Sequence, residues 1–303
     1  MKSAPWRIGV DIGVTFTDLV MLDSRDGRIF NGKILTTPHA PEEAVLEGVR
    51  DLLARTGARA DEVRHVIHGT TLVANALIER RGVPTGLITT KGFRDILEIG
   101  TELRHDTYDL FMRVPEPLVP RHRRLGVAER LLPDGSVREA LDEASAREAA
   151  RALRDAGAKA VAVCFLHAFR NPAHEARMLE ILAEEAPDLT VCLSSEVVPE
   201  IGEYERASTT VCNAYVQPVF ERYLRRLSDG LRGFGLTGPL FLMLSDGGTV
   251  AEETAARHPI RLVQSGPAGG VAGVLAPAAA CGRSLPRSRR VSARDCSRLT
   301  PAS

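Results

Sequence analysis

The stretch up to Thr36 constrains the fold more than any other part of the chain. Arg7 to Ile12, Thr17 to Leu22 and Arg28 to Thr36 are short runs rich in apolar and β-branched residues, the composition of strands. The links between them, at Gly13 and at Asp26-Gly27, are tight and suit hairpins. Three antiparallel strands are therefore expected first. A helix follows: Pro41 suits a first turn, Glu42 and Glu43 favour the positive end, and Val45, Val49 and Leu52 repeat on one face. Val63 to Ile67 then reads as a strand. Thr71 to Arg80 reads as a helix with Leu72, Ala76 and Leu77 inward, stopped by Gly82, and Thr85 to Thr90 as another strand. This order predicts an α/β fold, a mixed sheet with helices on its faces.

The stretch from Gly100 to Pro120 is irregular and rich in charge and proline. Val127 to Leu132 and Ser136 to Leu141 read as a hairpin around Pro133-Asp134-Gly135. Asp142 is placed to cap a helix that carries Ala146, Ala149, Ala150 and Leu153. Ala160 to Phe165 is an apolar strand, Pro172 to Glu185 a helix and Thr190 to Leu193 a strand. From Tyr204 a helical pattern runs to Leu227, with a break or kink expected at Pro218. Leu240 to Leu244 reads as a buried strand, and Ser265 to Leu275 as a glycine-rich turn entering a helix.

Length and charge narrow the function. A chain of 303 residues is long for one domain. Lys and Arg together number 39, and Asp and Glu number 39, so there is no electrostatic footprint for nucleic acid or for an anionic membrane. No apolar run reaches the length of a membrane span, and the N-terminus enters a strand pattern with no signal peptide. The five cysteines form no CxxC pair and no metal-ligand spacing, which points to buried thiols in a reducing, cytoplasmic setting.

Four segments carry chemistry. Asp11-Ile-Gly13-Val-Thr15-Phe-Thr17-Asp18 joins two predicted strands. Backbone N–H groups at such a turn, with the hydroxyls of Thr15 and Thr17, suit phosphate oxygens, and Asp11 suits Mg²⁺ held through water. A hairpin with polar turn residues is the plain alternative. His68-Gly69-Thr70-Thr71 lies between a strand and a helix, where His68 is a candidate acid, base or substrate donor. A strand-end histidine bonded to backbone is the plain alternative. Glu203-Tyr-Glu-Arg206 leads to Asn213, two turns on and on the face of Arg206. From spacing alone a solvated helix start accounts for it. Ser265-Gly266-Pro-Ala-Gly269-Gly270 suits an anion at a helix start, or close helix packing.

Together these segments resemble the hydantoinase A and 5-oxoprolinase family, which includes the β subunit of acetone carboxylase. The resemblance rests on Val10-Asp-Ile-Gly-Val-Thr-Phe-Thr-Asp18, on His68-Gly-Thr-Thr-Leu-Val-Ala-Asn-Ala-Leu-Ile-Glu-Arg80 and on Thr89-Thr-Lys-Gly-Phe-Arg-Asp-Ile-Leu-Glu-Ile-Gly100. It continues through Tyr108-Asp-Leu110, Glu203 to Arg206, Asn213-Ala-Tyr-Val216 and Gln264 to Gly270, in family order over residues 6 to about 276. It implies an actin-like ATPase fold of ribonuclease-H-like type and ATP-dependent opening of a cyclic amide such as 5-oxoproline or a hydantoin. It implies ATP and Mg²⁺ as cofactors, a small cyclic-amide substrate and a hydantoinase B-type partner subunit. Asp11, Gly13, Thr15, Thr17, Asp18, Ser265, Gly266, Gly269 and Gly270 would hold the nucleotide and metal. His68, Thr70, Thr71, Arg94 and Arg104 would face the substrate.

The sequence departs from the family pattern in three ways. Val14 and Gly202 stand where the family usually has Gly and Arg, and a β-branched residue is costly at position 14 if φ is positive there. No second Asp-x-Gly-Gly-Thr loop follows the Gly-Pro-Ala-Gly-Gly segment. Residues 282–303 instead carry six Arg and five Ser without periodicity. The expected organisation is a hydantoinase/oxoprolinase N-terminal domain at 1–200, the start of a second, incomplete domain at 201–276, and a disordered or aberrant tail at 277–303. A truncation there would leave apolar surface between Val211 and Leu244 exposed. Two other readings stand beside cyclic-amide hydrolysis: a non-catalytic fragment, and a β-type subunit of an ATP-dependent ketone carboxylase.

Overall fold

The computed structural model describes residues 4–101, 108–109, 111 and 115–269. In chain order the elements are β1 (Trp6–Ile12), β2 (Phe16–Asp23), β3 (Ile29–Leu35), α1 (Pro41–Thr56), β4 (Val63–Thr70), α2 (Leu72–Ile78), β5 (Thr85–Thr90) and α3 (Ile96–Ile99). They continue with β6 (Arg124–Val127), β7 (Arg130–Leu131), β8 (Val137–Glu139), α4 (Glu143–Asp155), β9 (Ala160–Cys164), α5 (Ala173–Glu185) and β10 (Thr190–Leu193). The last are α6 (Ser194–Val197), α7 (Glu203–Gly233), β11 (Leu240–Met243), β12 (Thr249–Ala251) and α8 (Glu252–Arg257). Two compact units divide them. One combines the chain up to Glu79 with the chain from Val219 onward, and the other runs from Arg80 to Pro218.

The first unit is built on a six-stranded mixed sheet in the order β12-β11-β4-β1-β2-β3. The short links force β1, β2 and β3 into antiparallel pairs, whereas β4 and β11 add in parallel after longer excursions. Trp6, Ile8, Val10 and Ile12 alternate into one face of β1 and are buried with Leu19, Met21 and the inward stripe of α1, Val45, Val49 and Leu52. The strand order β3-β2-β1-β4-β11 with an antiparallel first meander is the ribonuclease-H-like half of an actin-like ATPase fold.

The second unit holds a four-stranded sheet in the order β10-β9-β5-β6, parallel throughout. Its central strands β5 and β9 are buried along their whole length, as expected of parallel strands covered on both faces. Ile88, Val161, Val163, Phe165, Leu153, Met178 and Leu182 form its core. Asp142 caps α4 by accepting from the Ser145 amide at 3.2 Å.

Several expectations change. Thr71 to Arg80 is helical only to Ile78, and the chain turns at Arg80, which adopts a left-handed φ of 54°. Gly82 serves packing: a Cβ there would lie 2.2 Å from the Tyr215 ring. The inward residues of α2 are Val73 and Ala76, with Leu72 and Leu77 half-buried. The hairpin around Pro133-Asp134-Gly135 is shorter than expected, reduced to β7 and β8. Pro218 lies inside α7 without ending it, and there the chain passes from one unit to the other. The expected apolar exposure from Val211 to Leu244 is absent: Val211, Val216, Phe220, Leu224, Leu227, Leu231 and Leu242 are all buried. The tail at 277–303 lies outside the described residues. Among the described residues no helix is long and apolar enough to cross a membrane.

Candidate phosphate site at the first strand turn

Asp11 is the penultimate residue of β1, where side chains alternate between core and solvent. Val10 and Ile12 are buried and Asp11 is exposed. The register sets Asp11 opposite Asp18 on β2, and Asp18 opposite Lys33 on β3. Lys33 Nζ pairs with the Asp18 carboxylate at 2.9 Å. The protein packed around Asp11, and then the charge of Asp18, push its carboxyl above the usual carboxylate range.

Two glycines flank that carboxylate. A Cβ on Gly69, the β4 neighbour of Asp11, would lie 3.1 Å from Asp11 Oδ1, and a Cβ on Gly266 would lie 3.7 Å from it. Ser265 fixes this second approach. Its buried hydroxyl accepts from the Thr70 amide at 3.1 Å and donates to the Thr70 carbonyl at 2.9 Å. Thr71 is tied to the end of β1, its amide and hydroxyl both donating to the Ile12 carbonyl. The C-terminal ends of β1 and β4 and the segment at Ser265 thus meet around Asp11.

The turn itself is half closed. The Gly13 amide donates to the Phe16 carbonyl at 2.9 Å, so it is spent. Among the described residues, the amides of Val14 and Thr15 and the Thr15 hydroxyl have no hydrogen-bond partner, and both residues are exposed. Val14 is not among the residues with positive φ, so its β-branch costs nothing there. Thr17 is buried, with its hydroxyl 3.0 Å from that of Thr36, which donates to the Gly13 carbonyl. Its role is to brace the turn from beneath.

His68 lies on β4 but faces inward. It is fully buried, and its Nε2 shares a 2.7 Å hydrogen bond with the Tyr223 hydroxyl of α7. Burial lowers its pKa to about 4 against an opposing pull from the Val10 backbone, and Nδ1 has no partner of ordinary geometry among the described residues. At neutral pH the ring is uncharged and shut away from solvent in the described chain. Thr70 is also buried, its hydroxyl accepting from the Leu72 amide at 3.1 Å. Gly269 packs against Met243. Arg94 belongs to the other unit, where its buried Nε has no partner among the described residues. Arg104 and Gly270 lie outside the described residues. Gly202 sits at φ 115°, a conformation that the family's Arg would strain to adopt.

Sequence reasoning missed Tyr223, which carried no motif. Spacing alone suggests a solvated helix start over Glu203 to Arg206, whereas Arg206 is 1% exposed. Among the described residues no group of three or more His, Cys, Asp or Glu is placed to hold a metal directly. Asp11, a single exposed carboxylate with Asp18 across the strand pair, fits a magnesium that keeps most of its waters.

A family profile described as "Hydantoinase/oxoprolinase N-terminal region" matches residues 7–186, and one described as "Hydantoinase/oxoprolinase" matches residues 206–284. The alpha subunit of caprolactamase from Pseudomonas jessenii is 37% identical over 274 residues, an alignment covering 88% of this chain and 39% of that subunit. The crystal structure of ATP-dependent caprolactamase from Pseudomonas jessenii superposes with a TM-score of 0.82 at 36% identity, covering 91% of this chain and 41% of that one. A nucleotide-free structure of acetone carboxylase, described under ATP-dependent acetone carboxylation, matches with a TM-score of 0.82 at 29% identity and the same coverage. The chain spans about two fifths of the length of these relatives.

Proposed function

The chain belongs to the hydantoinase/oxoprolinase family, and from that premise we propose that it supplies the phosphate-gripping part of an enzyme that opens a cyclic amide of the 5-oxoproline or hydantoin type with ATP. The observation that carries this reading is the surround of Asp11: a carboxylate at the end of β1, glycines on both sides, and unpartnered amides next along the chain.

An unstrained lactam resists water because resonance stabilises its amide. Bound ATP supplies the phosphoryl group that turns the amide oxygen into part of a leaving group. The residues of this chain orient and neutralise. The Val14 and Thr15 amides and the Thr15 hydroxyl donate to phosphate oxygens, as backbone nests do. Asp11 would hold the Mg²⁺ that accompanies ATP, and Lys33 pairs with Asp18 and would keep it from competing. Gly69 and Gly266 leave the space that these groups need. His68 acts by holding Tyr223 and β4 in place, since its buried, neutral ring has no exposed proton to exchange.

A β-type subunit of an ATP-dependent ketone carboxylase is the second reading, supported by the likeness to acetone carboxylase. Both readings call for a partner subunit, of hydantoinase B type for the first. ADP release from Mg-ATP, measured with 5-oxoproline, a hydantoin, caprolactam, or acetone with bicarbonate, separates them. Stimulation by a cyclic amide supports hydrolysis and stimulation by the ketone supports carboxylation. Absence of Mg-ATP binding supports a non-catalytic chain.

A further inference from the structure

The second unit has an open cleft at the carboxyl end of its parallel sheet. Thr90 and Lys91 at the end of β5, Glu129 on the link after β6, Arg130 of β7, and Arg138 and Glu139 of β8 line it. Its free volume is about 300 Å³, at the lower end of the range for small-molecule sites. In open parallel sheets ligands gather outside the carboxyl ends of the strands. β5 and β6 both end here, and the Lys91 amide donates to the Val127 carbonyl at 2.8 Å. All six lining residues belong to the second unit.

The chain that builds this wall leaves its cations unspent. Lys91 is exposed, and its backbone is pressed against β6, where a Cβ on Gly126 would lie 3.1 Å from Lys91 Cα. Gly92 then turns the chain at a φ of 95°, which glycine adopts without strain. That turn sets Phe93 against Arg130, whose guanidinium carbon stands 5.1 Å from the ring centre. The stack holds Arg130 by its flat face and leaves its N–H edges open. Arg138 is exposed on β8, the strand paired with β7. Among the described residues, Lys91, Arg130 and Arg138 make no ion pair and no side-chain hydrogen bond. Arg121, Arg124, Arg147, Arg151 and Arg177 of the same unit, by contrast, all pair with carboxylates. Two carboxylates share the cleft. Glu129 is buried and spent on Thr90 and His174. Glu139 is exposed, stands opposite Arg130 in the β7–β8 register, and pairs with none of the three cations. The lining therefore keeps a positive balance, three cations against two carboxylates.

We propose that this cleft binds the phosphate group of a small molecule, held by Lys91, Arg130 and Arg138. Three cations that reach in from separate points of the backbone suit a tetrahedral anion, whose oxygens point in different directions. A planar carboxylate would be satisfied by one arginine fork. A phosphate group also carries close to two negative charges at neutral pH, which repays the two carboxylates on the lining better than a single charge does. The volume leaves room beside the phosphate for the rest of a small ester. The site is independent of the nucleotide reading, because no residue of the first strand turn contributes to it.

The test is isothermal titration of the full 303-residue chain in chloride buffer at constant ionic strength. Inorganic phosphate stands for the free anion and glycerol phosphate for an ester. Saturable binding is expected, and whichever binds more tightly identifies the source. Lys91→Gln and Arg138→Gln, both at exposed positions where folding should be little affected, should each weaken it at least about tenfold, the loss of one charge-assisted hydrogen bond. Lys159→Gln makes the same charge change just before β9, at the amino end of the sheet, and should leave the affinity unchanged. Phosphate taken by the Val14 turn would not respond to Lys91→Gln or Arg138→Gln, so unchanged affinity in both would overturn the proposal. So would an equal loss in Lys159→Gln, or no saturable binding to the wild-type chain. Tighter binding of a hexaglutamate peptide than of either phosphate would overturn it in favour of an acidic protein partner.

Discussion

At the end of β1, Asp11 stands open beside two glycines, and the amides of Val14 and Thr15 in the turn that follows have no partner among the described residues. In the second unit the carboxylates Glu175 and Glu129 are shut in and engaged. Glu175 accepts from the Phe165 amide at 3.0 Å, the Ser194 hydroxyl at 2.6 Å and the Ser195 amide at 2.9 Å. Thr90 reaches Glu129, which also holds His174 Nδ1 at 2.8 Å. Groups of the first kind cost little to change and are available to a ligand. Groups of the second kind hold loops to a sheet, and removing one strands its partners.

The sharpest way to break this contrast is Glu175→Ala. It leaves three donors without an acceptor in the interior and should destabilise the chain by about 3 kcal/mol or more, read from urea unfolding. A cost comparable to that of an exposed carboxylate would mean the loops are held otherwise.

His68 sharpens it through pH. Burial lowers its pKa from 6.5 to about 4, so the unfolded chain binds the proton more readily than the folded one. Stability is then complete above pH 6.5 and falls as pH drops toward 4, by about 3 kcal/mol over that window. Unfolding of the wild-type chain and of His68→Gln at a series of pH values should diverge there, with the variant flatter. Parallel curves would place His68 in a wetter setting.

A smaller effect is expected at Gly82→Ala, where the new methyl would meet the Tyr215 ring and carbonyl. Overpacking of this kind costs about 1–3 kcal/mol, seen as a lowered urea midpoint. The smallest is Val14→Gly. The residue is 66% exposed and its φ is unstrained, so the change in stability should stay within about 0.5 kcal/mol. A gain larger than that would mean the turn is under strain in the wild-type chain.

How much of this was legible in the sequence follows from distance along the chain. The three opening strands, the stripe of α1, the Asp142 cap and the Asp11 turn could all be read, because each depends on residues a few positions apart. The exposed side of the Asp11 turn could be anticipated too, since alternation along β1 separates Asp11 from Val10 and Ile12. The inward turn of His68 could not. Its partner Tyr223 is 155 residues away and carried no pattern of its own. Arg206 was hidden in the same way, because Phe165 stands 41 residues before it and spacing alone favoured a solvated face. Gly82 looked like a helix stop, and its reason is a tyrosine ring that only the fold brings near.

Isothermal titration of Mg-ATP into the wild-type chain and into Asp11→Asn tests the phosphate-gripping turn most directly. Saturable heat with the wild-type chain, weakened at least about tenfold by Asp11→Asn through loss of the metal's anchor, is the predicted result. No heat with the wild-type chain, or the same affinity in both, would contradict it.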